Sequence, residues 1–262
     1  MDSLKKQKSL AIGNLLSILL AIGVNYYSQV YKINGNTVGG LSDDYSNLFT
    51  PAGYAFAIWG IIYISIILFC GFQIYQSFIA KKYIEFIIKS SYWFTLANLA
   101  NAAWIFAWLY EYTLLSVFIM LIILVSLLKV ILTTNMERGD TPKYVIAFLW
   151  WPIGIYSGWI TVATIANIAA YLAKINWNGA IFSEVQWTIL MIIVATSINV
   201  VMIAKRNMQE FALVGVWALI AIFVRQQNNY EILAFTALAG AIVLFLFSIY
   251  HRFKNKKTKP IN

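Results

Sequence analysis

Long, unbroken apolar stretches separated by short polar breaks dominate the chain. They fall near residues 10–27, 52–78, 92–110, 113–134, 143–173, 185–204, 211–225 and 231–250. A helix of about 20 mostly apolar residues crosses the roughly 30 Å hydrocarbon core of a bilayer, and most of these stretches reach that length. Their apolar residues run continuously instead of alternating, which sets aside the strands of a membrane barrel. Backbone amides in lipid must then be satisfied inside each segment, as a helix does. The pattern predicts an all-α, polytopic transmembrane helical bundle of about eight spans.

The polar breaks refine this picture. The longest, 28–50, carries Gly35, Gly39, Gly40, Asp43 and Asp44 before Pro51 opens the second span. Proline is tolerated there because its missing N–H would be unpaired in a first turn anyway. Pro142 opens the fifth segment in the same way, with Asp140 or Thr141 as the expected N-cap. That segment runs unbroken to Lys174. At 1.5 Å per residue it is roughly 48 Å long, so it must tilt, protrude or kink, and Pro152 is the expected kink. The remaining connections are short, as between antiparallel neighbours.

Composition agrees: 61% of the 262 residues are hydrophobic, 11% are charged, and the mean hydropathy is +0.74. The net charge of +9 raises the question of nucleic acid, and the placement of the charges answers it. With alternate loops taken as cytoplasmic, 16 of the 19 Lys and Arg residues lie inside, and only Lys32, Lys174 and Arg225 lie outside. The positive-inside rule predicts such a split, so the basic balance reports topology, with both termini cytoplasmic and no nucleic acid as partner. Lys5, Lys6 and Lys8 precede the first apolar stretch, but no small-residue cleavage pattern follows, so a retained helix is expected. Abundant Lys, Ile and Asn point to a bacterial cytoplasmic membrane.

Several chemistries lack their residues. Glu85, Glu111, Glu137, Glu184, Glu210 and Glu231 fall at or beyond span ends, which argues against a coupled ion path. One Cys (Cys70) and one His (His251) cannot form a zinc cluster or an intramolecular disulfide. No metal or resident cofactor is expected, and no acid, base or nucleophile is placed for catalysis.

What remains is aromatic and amide chemistry in three stripes: Phe56, Trp59 and Tyr63 on the second span; Asn98, Asn101, Trp104 and Trp108 on the third; Tyr156, Trp159, Ala163, Asn167 and Tyr171 on the fifth. Such faces suit a flat apolar ligand, whose rings stack while an amide fixes its orientation. The same residues also suit plain helix packing. Trp93, Trp150, Trp151, Trp177 and Trp187 stand near span ends and read as an interfacial belt. Asn14, Asn98 and Asn199 read as hydrogen-bonding partners between helices, and the Gly154/Gly158 pair as a close helix contact.

At these stripes the chain resembles the TspO/MBR family, the tryptophan-rich sensory proteins whose mitochondrial relatives are the translocator proteins. The fifth span matches best, with Pro152 followed by Tyr156, Trp159, Ala163 and Asn167; the third supplies Asn101 and Trp104, and the second Pro51, Phe56, Trp59 and Tyr63. Where the family often has a second proline and a tryptophan after Pro51, this chain has Ala52, Gly53 and Tyr54. The resemblance covers 8–175 and implies a five-helix bundle there; the additional three-helix membrane region over 185–250 has no counterpart in the short family members, and a basic cytoplasmic tail is expected over 251–262. It further implies a pocket for porphyrins, sterols or related flat hydrophobic ligands, a porphyrin or haem-like tetrapyrrole being the better supported, lined by motif match by Trp59, Asn101, Trp104, Trp159, Ala163 and Asn167, with the long first loop as lid and a homodimer as the usual assembly; Tyr54, Phe56, Tyr63, Trp108 and Tyr156, on or next to the same stripes, complete the candidate lining. The leading expectation is a non-enzymatic membrane receptor or carrier acting in sensing or transport regulation. The alternative is a permease for a neutral apolar solute, with Pro152 and the glycine pair as hinges.

Overall fold

The computed structural model describes residues 2–45, 47–137 and 141–257. Every regular element among these is helical. In chain order they are α1 (Asp2–Tyr31), a 3-10 turn (Ile33–Gly35), α2 (Val38–Asp44), a second 3-10 stretch (Gly53–Ala57), α3 (Ile58–Ile74) with a π turn (Tyr75–Ile79), α4 (Glu85–Leu109), α5 (Thr113–Thr133), α6 (Lys143–Val145), a π turn (Ile146–Trp150), α7 (Trp151–Lys174), α8 (Glu184–Arg206), α9 (Gln209–Gln226) and α10 (Glu231–Lys257).

Seven helical stretches among the described residues are long and apolar enough to cross a membrane: α1, Gly53–Ile79, α5, Lys143–Lys174, α8, α9 and α10. The eighth expected span is α4. Its 25 residues extend about 37 Å, ample for a crossing, but Ser90, Ser91, Asn98 and Asn101 dilute its apolar character, and 15 of the 25 are buried. These polar side chains face protein instead of lipid, which is where a membrane helix must put them.

Three local expectations are corrected. The first outer loop is largely helical, through the end of α1, the 3-10 turn Ile33–Gly35 and α2. The N-cap before α6 is Pro142 itself, at φ −53° and without a side-chain cap bond; Asp140, like Arg138 and Lys259, lies outside the described residues. The irregularity expected at Pro152 appears one turn earlier, as the π turn at Ile146–Trp150, where the Trp151 N–H reaches the Ile146 carbonyl. A proline gives no N–H and its ring crowds the carbonyl four residues back, so the preceding turn widens.

By packing, the chain divides into two compact units: Met1–Leu41 with Ile58–Ile153, and Ser42–Ala57 with Gly154–Asn262. The expected partition into 8–175 and 185–250 rests on sequence resemblance; by packing, the fifth segment divides between Ile153 and Gly154, with most of α7 in the unit of α8, α9 and α10. Of the expected tail, residues up to Lys257 continue α10.

In the first unit α4 packs against α1 and α5, and α1 against α3. Phe69 of α3 meets Phe94 at 4.7 Å and Phe86 at 6.1 Å between ring centroids, and Phe72 stacks on Phe148 at 5.5 Å. In the second unit α8, α9 and α10 pack mutually, and the 3-10 stretch Gly53–Ala57 lies on α9. The first-loop residues are pinned within each unit. Asn34 and Asn36 donate to the Leu109 carbonyl at the end of α4. Gln226 Nε2 donates to the Leu48 carbonyl, and Arg225 pairs with Asp43 at 2.7 Å.

Candidate functional site

In the first unit a buried polar seam joins α1 to α3 and α4. Gln7 Nε2 donates to Ser77 Oγ and the Lys82 carbonyl, while its Oε1 accepts from the Ile84 N–H. Two turns on, Asn14 donates to Gln73 Oε1 (2.8 Å) and Ser91 Oγ (3.0 Å) and accepts from Thr95 Oγ1 (3.0 Å). Asn98 then donates to Ser17 Oγ, and Asn25 donates to Asn101 Oδ1 at 3.1 Å. The α1 partners Gln7, Asn14, Ser17 and Asn25 are spaced by 7, 3 and 8 residues, steps that keep to one face of a helix.

Of the expected ligand residues of this unit, Asn101 belongs to the seam. Trp104 and Trp108 stack on one another at 5.7 Å, both buried, and Trp108 Nε1 donates to the Val38 carbonyl. Trp59 and Tyr63 stack at 5.2 Å and are half-buried. Asn101 is buried, with its amide oxygen engaged by Asn25.

In the second unit Tyr156, Trp159 and Asn167 are buried and Ala163 is half-buried. Phe56 meets Trp159 edge-on at 6.1 Å. Tyr54 meets Trp217 edge-on at 5.3 Å, and Trp217 Nε1 donates to the Ala55 carbonyl. The glycine pair is a contact face: a Cβ on Gly158 would lie 2.7 Å from the Phe211 carbonyl, and one on Gly154 would overlap the Glu210 side chain. α9 therefore approaches α7 at glycine distance, as the pair suggested.

None of these residues lines the cavity of about 390 Å³ found at the junction of α7 and α8. One wall is the end of α7 and the turn beyond it, with Ala169, Leu172, Ala173 and Asn176; the facing wall is the start of α8, with Glu184, Trp187, Thr188 and Met191. Both sets follow i, i+3, i+4, i+7 spacing, one face of a helix. Trp177, Asn178 and Gly179 close the end, and Asn47 adds a third amide. The turn is tightly specified. Asn176, Gly179 and Ala180 have left-handed φ of 51°, 80° and 53°, and at alanine that conformation costs ~1–2 kcal/mol. A Cβ on Gly179 would overlap the Phe182 carbonyl. Ser183 then starts α8 with a reciprocal capping box to Gln186.

The model of the family described as TSPO-like protein matches residues 11–250 of the chain. The chain belongs to the TSPO-like family. No curated protein and no solved structure matches it. The match covers nearly the whole chain and extends past residue 175 through α8, α9 and α10.

With its apolar helices, this TSPO-like protein is a multi-pass membrane protein. No group of three or more His, Cys, Asp or Glu able to hold a metal occurs among the described residues. Trp177 and Trp187, expected as belt residues at span ends, line the α7–α8 cavity, which is not among the expectations from sequence. The signal was present in the Glu184, Trp187, Thr188, Met191 spacing after a Trp-Asn-Gly turn. Asn199 also departs from expectation: its Nδ2 donates within α8 to the Ala195 carbonyl, and its amide lies against Gly215 of α9.

Proposed function

We propose that this TSPO-like protein is a non-enzymatic membrane receptor or carrier for a flat hydrophobic ligand of the tetrapyrrole type, acting in sensing or in transport regulation. Both termini face the cytoplasm in this reading. The observation that carries it is the burial of paired ring surfaces beside an amide within the first unit: Trp104 and Trp108 stack at 5.7 Å and are 7% and 4% exposed, and Asn101 lies on the same helix, 2% exposed. Buried indoles and amides offer stacking surface and orientation to a planar ligand without any group that would react with it.

Titration of the purified protein with protoporphyrin, followed by quenching of Trp emission, tests the reading. Saturable quenching is expected in the wild type and should be lost in Trp104→Phe and in Asn101→Ala, while unrelated apolar dyes give no saturation. Equal, unsaturable quenching by porphyrin and dyes would reduce the effect to partitioning into detergent and overturn the proposal.

A further inference from the structure

The cavity between α7 and α8 has a chemistry of its own, independent of the tetrapyrrole reading. We propose that it binds an organic ammonium ion, the charged head held by Glu184 and the indoles of Trp177 and Trp187, and an apolar body reaching Ala169, Ala173 and Met191. Glu184 is the one charged side chain in the lining, and it forms no ion pair among the described residues. A carboxylate alone at the rim of a cavity repels anions and offers a neutral solute nothing that it does not offer more strongly to a cation.

The indoles complete the head site. Trp187 is fixed by donating its Nε1–H to the Gly179 carbonyl at 2.6 Å and by the edge of Phe182 at 5.3 Å. Its donor edge is therefore engaged and its ring is the surface left for a ligand. Trp177 stands 5.1 Å from it at 55°, so two electron-rich rings stand together in the lining that also holds Glu184. A quaternary or protonated amine is attracted to such faces, more strongly when partly desolvated. The alanines on α7 leave the depth of the cavity open, and its volume lies within the range of about 300–1,000 Å³ usual for small-molecule sites.

The same head group can come from a phospholipid carrying choline or ethanolamine or from a free amphipathic amine. Equilibrium dialysis of the full chain in maltoside detergent with labelled benzyltrimethylammonium tests the site. Saturable binding is expected, displaced by choline but not by its uncharged carbon isostere 3,3-dimethylbutanol. Glu184→Gln and Trp177→Leu should each weaken it about ten-fold or more. Both positions are exposed, and an unchanged melting curve for each variant shows that the fold is kept. Absence of saturable binding, equal displacement by the isostere, or wild-type affinity in Glu184→Gln overturns the proposal. Nanodiscs of phosphatidylglycerol with and without phosphatidylcholine then identify the source: a weaker apparent affinity with phosphatidylcholine assigns the site to lipid headgroups, an unchanged one to a free cation.

Discussion

Amides set the residue-scale behaviour of the first unit. Asn14 holds three partners on two other helices, whereas among the described residues Asn98 holds Ser17 alone and its Oδ1 has no partner. Hydrogen bonds between membrane helices contribute about 0.6 kcal/mol each on average. Asn14→Ala should therefore destabilise by ~2 kcal/mol and Asn98→Ala by ~0.6 kcal/mol in reversible denaturation in mixed micelles. Equal losses in the two would show that the seam does not act through its bonds. Asn14 and Asn98 could be read correctly from sequence, because an amide inside an apolar run must find a partner. Which partner it finds is a tertiary fact: Asn101 takes Asn25, and Asn199 folds back on its own helix because Gly215 leaves room for it.

At the scale of elements, glycines report where helices touch. A Cβ on Gly158 meets the α9 backbone, while one on Gly13 of α1 meets nothing within 4 Å. Gly158→Ala should cost ~1–3 kcal/mol through overpacking against a backbone that cannot yield. Gly13→Ala should instead stabilise by up to ~1 kcal/mol, since alanine loses less backbone entropy in a helix. Thermal melts of the two variants decide it; a loss in both would mean that the contact with α9 plays no part. Long apolar runs locate every long helix, but three extend seven or eight residues past the run: α1 begins at Asp2 instead of 10, α4 at Glu85 instead of 92, and α10 continues to Lys257 instead of 250, because a helix goes on through polar turns that a hydropathy pattern does not count. The π turn before Pro152 was legible only as a kink, since proline dictates a disturbance and the surroundings dictate its form. The cavity was not legible as such, because it depends on a turn bringing two helix ends face to face.

At the scale of the whole molecule, the count of crossings decides the orientation of every loop beyond α3. Composition alone licenses seven, which would leave the two termini on opposite sides of the membrane. Leaving α4 out as a crossing, however, would place Lys5, Lys6, Lys8, Lys81, Lys82, Lys89, Lys174 and Arg225 on one side and the other 11 basic residues on the other, abolishing the asymmetry that membrane insertion follows. With α4 crossing, the split is 16 to 3. The burial of its serines and asparagines removes the objection to a polar span. In a Cys70→Ala background, a membrane-impermeant maleimide applied to intact cells should label Tyr112→Cys and Asn178→Cys but not Lys82→Cys or Lys205→Cys. If Lys205→Cys were labelled and Tyr112→Cys protected, α4 would not cross. The ammonium cavity at the α7–α8 turn would then open toward the cytoplasm instead of the outside.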